Sequence, residues 1–393
     1  MKRYQFEIAG VLLIIVATLV VGTYLVFGFA NQASLVYVAR QEEPSLVAQV
    51  PPKPKVLHIK TPTPVRGLYL TSWVAGYKNA EGDYSWRKKI VAIATTTEIN
   101  TLVIDIKDYT GRISFELPGT IYSEMGADSK RIPDVKEFIQ ELHDENIYVV
   151  GRLSVFQDQF LTAERPELAV LRKDNGEVWR DRMGIAWLDP GNRQVWDYVV
   201  GIAQASYALG FDEINFDYIR FPSDGNMQNT LYPHSDPTLA KRDQLNLFFA
   251  YLDGKLRTEG IPISADIFGM TTTNTDDLGI GQVLENALAH FDYVAPMVYP
   301  SHYPPNFNGW PDPNKVPYEL IHFVMSSAVE RAIMASSTPS KLRPWLQDFN
   351  YGGIYGETEV RAQKQAVYDV GLDSWMLWDP SVKYTISALD LVI

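Results

Sequence analysis

The sequence predicts an α/β fold: a (β/α)8 barrel preceded by an N-terminal transmembrane helix and a proline-rich linker. Three observations carry this prediction. An uncharged apolar run of bilayer length opens the chain behind Lys2 and Arg3. Six prolines crowd the segment from Asn31 to Pro64. From Val65 to the end, short β-rich runs alternate with longer helical patterns, the signature of a parallel sheet wrapped in helices.

The apolar run spans residues 8–30. A bilayer needs about 20 apolar residues in a helix, and a cleaved leader has an apolar region of only about 7–15. The run therefore reads as an uncleaved signal-anchor. The first positive residue after it is Arg40, so the positive-inside rule puts the N-terminus in the cytoplasm and the rest of a single-pass protein outside the cell membrane. The stretch Val50-Pro51-Pro52-Lys53-Pro54-Lys55 cannot be helical and predicts an extended spacer. The expected divisions are 1–30 for the anchor, 31–64 for the linker and 65–393 for the barrel.

Composition narrows the function. The 393 residues carry a formal charge of -12, which disfavours a nucleic-acid partner because phosphate binding needs a basic surface. There is no cysteine, so disulfides, thiolate metal sites and cysteine nucleophiles are excluded. The 9 Trp and 22 Tyr supply flat amphipathic rings that suit sugar faces and large cores alike. No cofactor is expected. His234 and His302 have no partner histidine at metal-binding spacing, and Asp224, Asp276 and Asp277 read as solvated loop residues. There is no Gly-x-Ser-x-Gly elbow for a serine hydrolase.

Eight strands are expected in order, over residues 67–72, 101–106, 148–153, 213–216, 263–267, 293–298, 343–346 and 374–377. Helical patterns lie between them at 133–145, 195–209, 239–259, 318–335 and 359–370, the first opened by Pro133-Asp134. An open doubly wound sheet is disfavoured, because Trp73-Val74-Ala75-Gly76 after the first strand is no phosphate-binding loop.

In such barrels chemistry sits at the C-terminal ends of the strands. Side chains alternate between interior and helix layer. On strand 4, Ile214 and Phe216 suit the helices, so Asn215 and Asp217 face in; on strand 5 the same rule turns Ser264 and Asp266 in. On strand 2 it turns Asp105 and Lys107 in, and on strand 7 it leaves Asp348 ambiguous. An unpaired aspartate in an apolar interior costs several kcal/mol. Either Lys107, Arg152 and Arg220 neutralise these carboxylates, or the carboxylates perform the two-acid chemistry of glycoside hydrolysis. Trp73, Trp310, Trp378, Tyr299 and Tyr303 lie at strand ends or mouth loops, where rings stack on sugars, with burial in the core as the alternative for each.

The run Gly210-Phe211-Asp212-Glu213-Ile214-Asn215-Phe216-Asp217-Tyr218-Ile219-Arg220-Phe221-Pro222 resembles the strand 4 signature of a glycoside hydrolase family known as a bacterial domain of unknown function. The opening Val65-Arg66-Gly67-Leu68-Tyr69-Leu70 and the closing Trp375-Met376-Leu377-Trp378 resemble it as well. The resemblance implies a TIM barrel distantly similar to α-amylase and family 18 chitinase barrels. In amylase-like barrels the nucleophile is an Asp ending strand 4, the acid/base a Glu ending strand 5, and a stabilising Asp follows strand 7. Asp217, Asp266 and Asp348 fall at similar places, with Asp standing for Glu at strand 5. The chitinase signature, which ends in a catalytic Glu, is not matched, since Tyr218 and Ile219 follow Asp217.

The expectation is a membrane-anchored, extracytoplasmic hydrolase of a poly- or oligosaccharide. Asp217 is expected as nucleophile or principal carboxylate and Asp266 as general acid/base, with Asp105, Lys107, Arg220, Tyr299, Asp348, Trp378 and Trp73 binding substrate. The alternative is a non-catalytic carbohydrate-binding barrel whose carboxylates are neutralised by the nearby cations.

Overall fold

The structure is a computed structural model that describes residues 57–392 and four positions, Thr18, Leu19, Val21 and Thr23, near the N-terminus. The apolar run 8–30 and the linker up to residue 56 lie otherwise outside the described residues. Among the described residues no helix is long and apolar enough to cross a membrane.

Eight parallel strands close into a barrel: β1 Arg66–Leu70, β2 Thr101–Lys107, β3 Tyr148–Ser154, β4 Glu213–Asp217, β5 Ile263–Phe268, β6 Tyr293–Met297, β7 Trp345–Gln347 and β8 Trp375–Trp378. Each strand pairs with its neighbours in sequence, and β1 pairs with β8 to close the ring. The longer helices on the outside are α1 Ser85–Thr96, α2 Val135–Asp144, α3 Arg193–Leu209, α4 Lys241–Leu256, α5 Leu284–His290, α6 Pro317–Met334 and α7 Glu357–Asp369. The eighth unit departs from the expected strand–helix repeat. After β8 the chain forms only the single turn Ile386–Ala388.

The helices follow from their sequences. In α2, Val135, Phe138, Ile139 and Leu142 fall at helical spacing and are all buried. In α3 the Asn192 side chain accepts from Gln194 N at 2.9 Å, and Gly210 ends the helix at φ 122°. Two of these seven longer helices lie outside the expected set. The α1 helix has no side-chain cap and ends in threonines, and α5 has only seven residues, too few to show a period.

Inward and outward faces separate as the strand alternation requires. Ile214, Phe216, Ile263, Ala265 and Ile267 join the large core between barrel and helices. Tyr69, Val103, Tyr148, Val150, Ala295, Trp345 and Met376 form a second cluster inside the barrel. At the N-terminal end the barrel is plugged by Glu213, which takes Arg343 at 2.9 Å and Tyr148 Oη at 3.1 Å.

The alternation breaks once, on β2. Asp105 pairs with Arg152 of β3, but the register then shifts so that Lys107 pairs with Leu153, which faces the helices. Ile106 and Lys107 therefore both leave the interior. Gly151 makes room, since a Cβ there would stand 2.4 Å from Ile106 Cδ1. The expectation that Lys107 faces in with Asp105 is corrected by this bulge. Lys107 is fully buried behind β2, where its Nζ donates to Asp158 Oδ2 at 2.6 Å.

Candidate active site

The reactive groups converge from five consecutive strands of the barrel, β1 to β5. Arg152 of β3 is the hub. Its Nη1 donates to Asp105 Oδ1 at 2.7 Å, its Nε donates to Asp217 Oδ2 at 3.0 Å, and its Nη2 donates to the same Asp217 oxygen. The same Nε lies 4.0 Å from Asp266 Oδ2. Asp105 is fixed from its other side by Tyr69 Oη at 2.7 Å. Burial would lower the Arg152 pKa, but Asp217 and Asp105 outweigh it and hold the guanidinium firmly protonated.

Asp217 ends β4, and the chain turns sharply after it. Tyr218 adopts φ 52°, in the left-handed region, and its N–H donates to Asp217 Oδ1 at 2.6 Å. A non-glycine residue held there costs about 1–3 kcal/mol. The turn keeps Asp217 oriented and sets the Tyr218 ring edge-on to Trp187, with centroids 6.1 Å apart.

Asp266 is in a different state. Asn215 Nδ2 and Trp345 Nε1 donate to its Oδ1 at 2.9 and 2.8 Å. Its Oδ2 is buried and has no partner. Burial, reinforced by the Asp217 charge and opposed by Arg152, pushes its pKa up to about 8. This shift favours the protonated carboxyl near neutral pH, and Oδ1, which accepts both hydrogen bonds, suits the carbonyl oxygen of that form.

A cavity of about 340 Å³ opens above this cluster, lined by Arg152, Asp217, Tyr218, Arg220, Tyr299 and Trp378, and closed by Phe268, Met270, Met297, His302 and Tyr303. Of the expected site residues, Asp217, Arg220, Tyr299 and Trp378 line it. Asp266, on the strand next to that of Asp217, is outside the lining, and so is Asp105, the orienting partner of Arg152. Trp378 stacks on Tyr69 at 3.8 Å and sits 5.0 Å from the Arg152 guanidinium. Asp348 is displaced into an adjoining cavity that shares His302, where it accepts from Thr385 N and Oγ1 at 2.8 and 2.6 Å. Burial raises its pKa to about 6. Trp73 stands on the rim away from both cavities, 60% exposed, with the Arg131 guanidinium 4.1 Å from its ring. Lys107 is excluded by the bulge.

The neutralising cations also differ from expectation. Arg152 alone gathers the carboxylates. Lys107 is committed to Asp158, and Arg220 has no carboxylate partner within 4.0 Å among the described residues. The apolar walls Phe268, Met270 and Met297 were missed by reasoning that followed charged residues, although Phe268 and Met270 closely follow Asp266 in sequence. Gly269 lets this wall close, because a Cβ there would meet Met297 O at 2.4 Å and Tyr303 Oη at 2.6 Å. Among the described residues no group of three His, Asp or Glu side chains is arranged to hold a metal ion.

Residues 67–384 match the family described as "Putative glycosyl hydrolase domain". No curated protein matches the chain. Among solved structures, a hypothetical protein from Ruminiclostridium thermocellum is similar at 36% identity, covering 54% of this chain and 98% of that one, with a TM-score of 0.45. The PgaB (BpsB) glycoside hydrolase domain from Bordetella bronchiseptica is similar at 13% identity, covering 84% of this chain and 100% of that one, with a TM-score of 0.59. The latter likeness is one of fold.

Proposed function

The chain belongs to the "Putative glycosyl hydrolase domain" family, and from that premise we propose that it hydrolyses glycosidic bonds of a poly- or oligosaccharide, with Asp217 as the carboxylate that meets the sugar and Asp266 as the acid. One observation carries this reading. Two aspartates share one guanidinium nitrogen, at 3.0 and 4.0 Å, yet one lines an open cavity while the other is held protonated to about pH 8. Paired carboxyl groups in opposite protonation states are what glycoside hydrolysis requires.

The shared Nε caps the separation of the two Oδ2 atoms at the sum of those distances. That cap admits the about 5–5.5 Å spacing of retaining enzymes and only the lowest part of the about 6.5–9.5 Å inverting range. The reading is therefore retention. Asp217 attacks the anomeric carbon, the proton on Asp266 passes to the leaving oxygen, and water, giving a proton back to Asp266, then releases the sugar from the Asp217 ester. Trp378 and Tyr299 offer rings to the sugar, and Asp105 acts through Arg152 as a positioning residue. Asp348 and Trp73 fit further sugar units, bound outside the reacting cavity.

A glycan screen with wild-type protein and Asp217→Asn tests the assignment. Turnover should fall by several orders of magnitude in the amide variant, with the product of the wild type retaining its anomeric configuration by NMR. Full activity of Asp217→Asn rejects the role. The Arg152 ion pairs and the covered position of Asp266 favour a second reading, a carbohydrate-binding barrel without turnover. Sugar binding by both proteins, with no cleavage of any glycan by the wild type, would establish it.

The uncharged run 8–30 behind Lys2 and Arg3 supports anchoring in the cell membrane with the barrel outside. Protease added to intact cells should remove the barrel and leave a short membrane-bound stub. Full-length protein in the washed soluble fraction would contradict the anchor.

A further inference from the structure

Among the described residues, buried Arg and Lys side chains are paired with carboxylates, with one exception. Arg87, Lys107, Arg152, Arg331, Arg343 and Lys364 are all buried, and each holds a carboxylate. Arg220 is as buried as these, at 8% exposure, and among the described residues it has no carboxylate within the same reach. Its Nη1 donates to Phe221 O and Ser223 Oγ, both at 3.1 Å, while Nε and Nη2 make no hydrogen bond among the described residues. Three rings frame the guanidinium: Phe268 at 4.7 Å, Trp187 at 4.8 Å and Tyr218 at 5.5 Å. Burial lowers its pKa, opposed by Tyr218 and by the carboxylates of Asp217, Asp224 and Asp181, none of them within ion-pair distance.

Aromatic faces hold a guanidinium in place but do not replace a counter-ion. A buried charge left without one is costly, and the N–H groups that lack acceptors belong to a side chain lining the cavity of Asp217. The other charges there are accounted for. Arg152 is taken by Asp105 and Asp217, and Asp266 accepts from Asn215 and Trp345, with its pKa raised by burial. The chain as a whole is acidic, at -12, so this cation is no part of a general basic surface.

We infer that Arg220 is an anion subsite and that the sugar bound beside Asp217 carries a carboxylate, as uronic acids do. The planar fork of arginine matches a carboxylate with two parallel hydrogen bonds. The inference deepens the hydrolase reading and rests on it for the sugar, but not for the anion.

The test is affinity electrophoresis of the full chain, carrying Asp217→Asn to prevent turnover, through gels containing polygalacturonate, alginate or hyaluronan. The same polymers after reduction of their carboxyls to hydroxymethyl groups are the controls, and dextran sulfate is the sulfate control. At least one carboxylated polymer should bind about ten-fold more tightly than its reduced form, the least that a charge-assisted hydrogen bond contributes. Arg220→Met should abolish that difference and Arg220→Lys should restore part of it. No carboxylate partner is orphaned by Arg220→Met, so its thermal melt should stay close to that of the parent, which separates a lost subsite from a lost fold. If no carboxylated polymer is retained, if reduced and carboxylated forms bind equally, or if only dextran sulfate binds, the inference is overturned, whatever the enzyme cleaves. Arg220-dependent retention with no cleavage of any glycan by the wild type upholds the subsite and removes hydrolysis instead.

Discussion

Arg152 and Asp266 show how one interior fixes two charge states at a distance of a few ångströms. Arg152 spends its donors on Asp105 and Asp217, and Asp217 faces the cavity. Asp266 has neutral donors only, from Asn215 and Trp345, and keeps its proton to about pH 8. Two consequences follow for Asp266→Asn. The folded chain holds this proton up to about 8, whereas the unfolded carboxyl releases it near its ordinary 3.8. Between those values the folded state binds the extra proton, so stability falls as pH rises, and it levels off above about 8. The melting temperature of the wild type relative to Asp266→Asn should therefore decline across that window. If the same proton serves the leaving group, wild-type turnover of natural glycans should fall as pH rises through about 8. Hydrolysis of 4-nitrophenyl glycosides, whose leaving group needs little protonation, should lose far less in Asp266→Asn than hydrolysis of natural glycans. Equal losses on both substrates would make Asp266 a positioning residue. At this scale, inward-facing Asp217 and Asp266 were legible from alternation alone. The hub role of Arg152 was not, because which of three cations meets a carboxylate depends on register between strands. The freedom of Arg220 was hidden for the same reason.

Strands were more legible than helices because eight apolar β-rich runs are local signals, whereas α5 is too short for a period and α1 lacks a cap. Alternation located the inner faces of β4 and β5 and misplaced only what followed the bulge in β2. A bulge inserts one residue without changing composition, so Lys107 looked identical to an inward residue. Its nearest sequence signal is Gly151 on the neighbouring strand, where Ile106 takes the space of a side chain. Gly269, after β5, has the opposite meaning: it lets two backbones approach at the mouth. In Gly269→Ala the new Cβ would lie 2.4 Å from Met297 O, a backbone atom that cannot rotate away. The C-terminal ends of β5 and β6 must then part next to Tyr299 and on the mouth side of Asp266. Overpacking of this kind costs about 1–3 kcal/mol, so the variant should fold with a lowered urea midpoint. Its turnover should fall more than ten-fold, because about 1 Å of displacement at a reacting centre can cost about 100-fold. A variant with the parent's midpoint and the parent's turnover would show that this wall does not set the site.

The barrel as a whole has two guarded ends, and the chain before β1 belongs to the lower one. Residues 57–64, expected as the end of the linker, pack against the N-terminal mouth. Ile59 N donates to Asp212 Oδ1 at 2.7 Å and its side chain rests on the interior cluster. Thr61 Oγ1 meets Tyr148 Oη at 2.9 Å, His58 stacks on Tyr207 at 3.9 Å, and Asn100 Nδ2 donates to Pro64 O at 2.9 Å. The prolines made this stretch look like spacer, because proline reports an extended backbone and says nothing about what an extended backbone lies against. The arm is part of the same compact unit as the barrel, a unit that runs from Lys55 to Ile393. Fragments 55–393 and 65–393 should therefore differ. The shorter one uncovers Ile59's contact surface inside the barrel and removes one hydrogen-bond partner each from Asp212 and Tyr148, along with the His58 ring 3.9 Å from Asp212. His143, Val149 and Glu213 still satisfy those two groups, which limits the polar part of the loss. Burial of one large aliphatic side chain and a few net hydrogen bonds set the difference at about 2–4 kcal/mol. Urea denaturation of the two fragments at equal slope measures it. Coincident midpoints would return residues 57–64 to the linker, whereas a clear deficit in the shorter fragment would make the arm a structural part of the barrel and any spacer to the membrane correspondingly shorter.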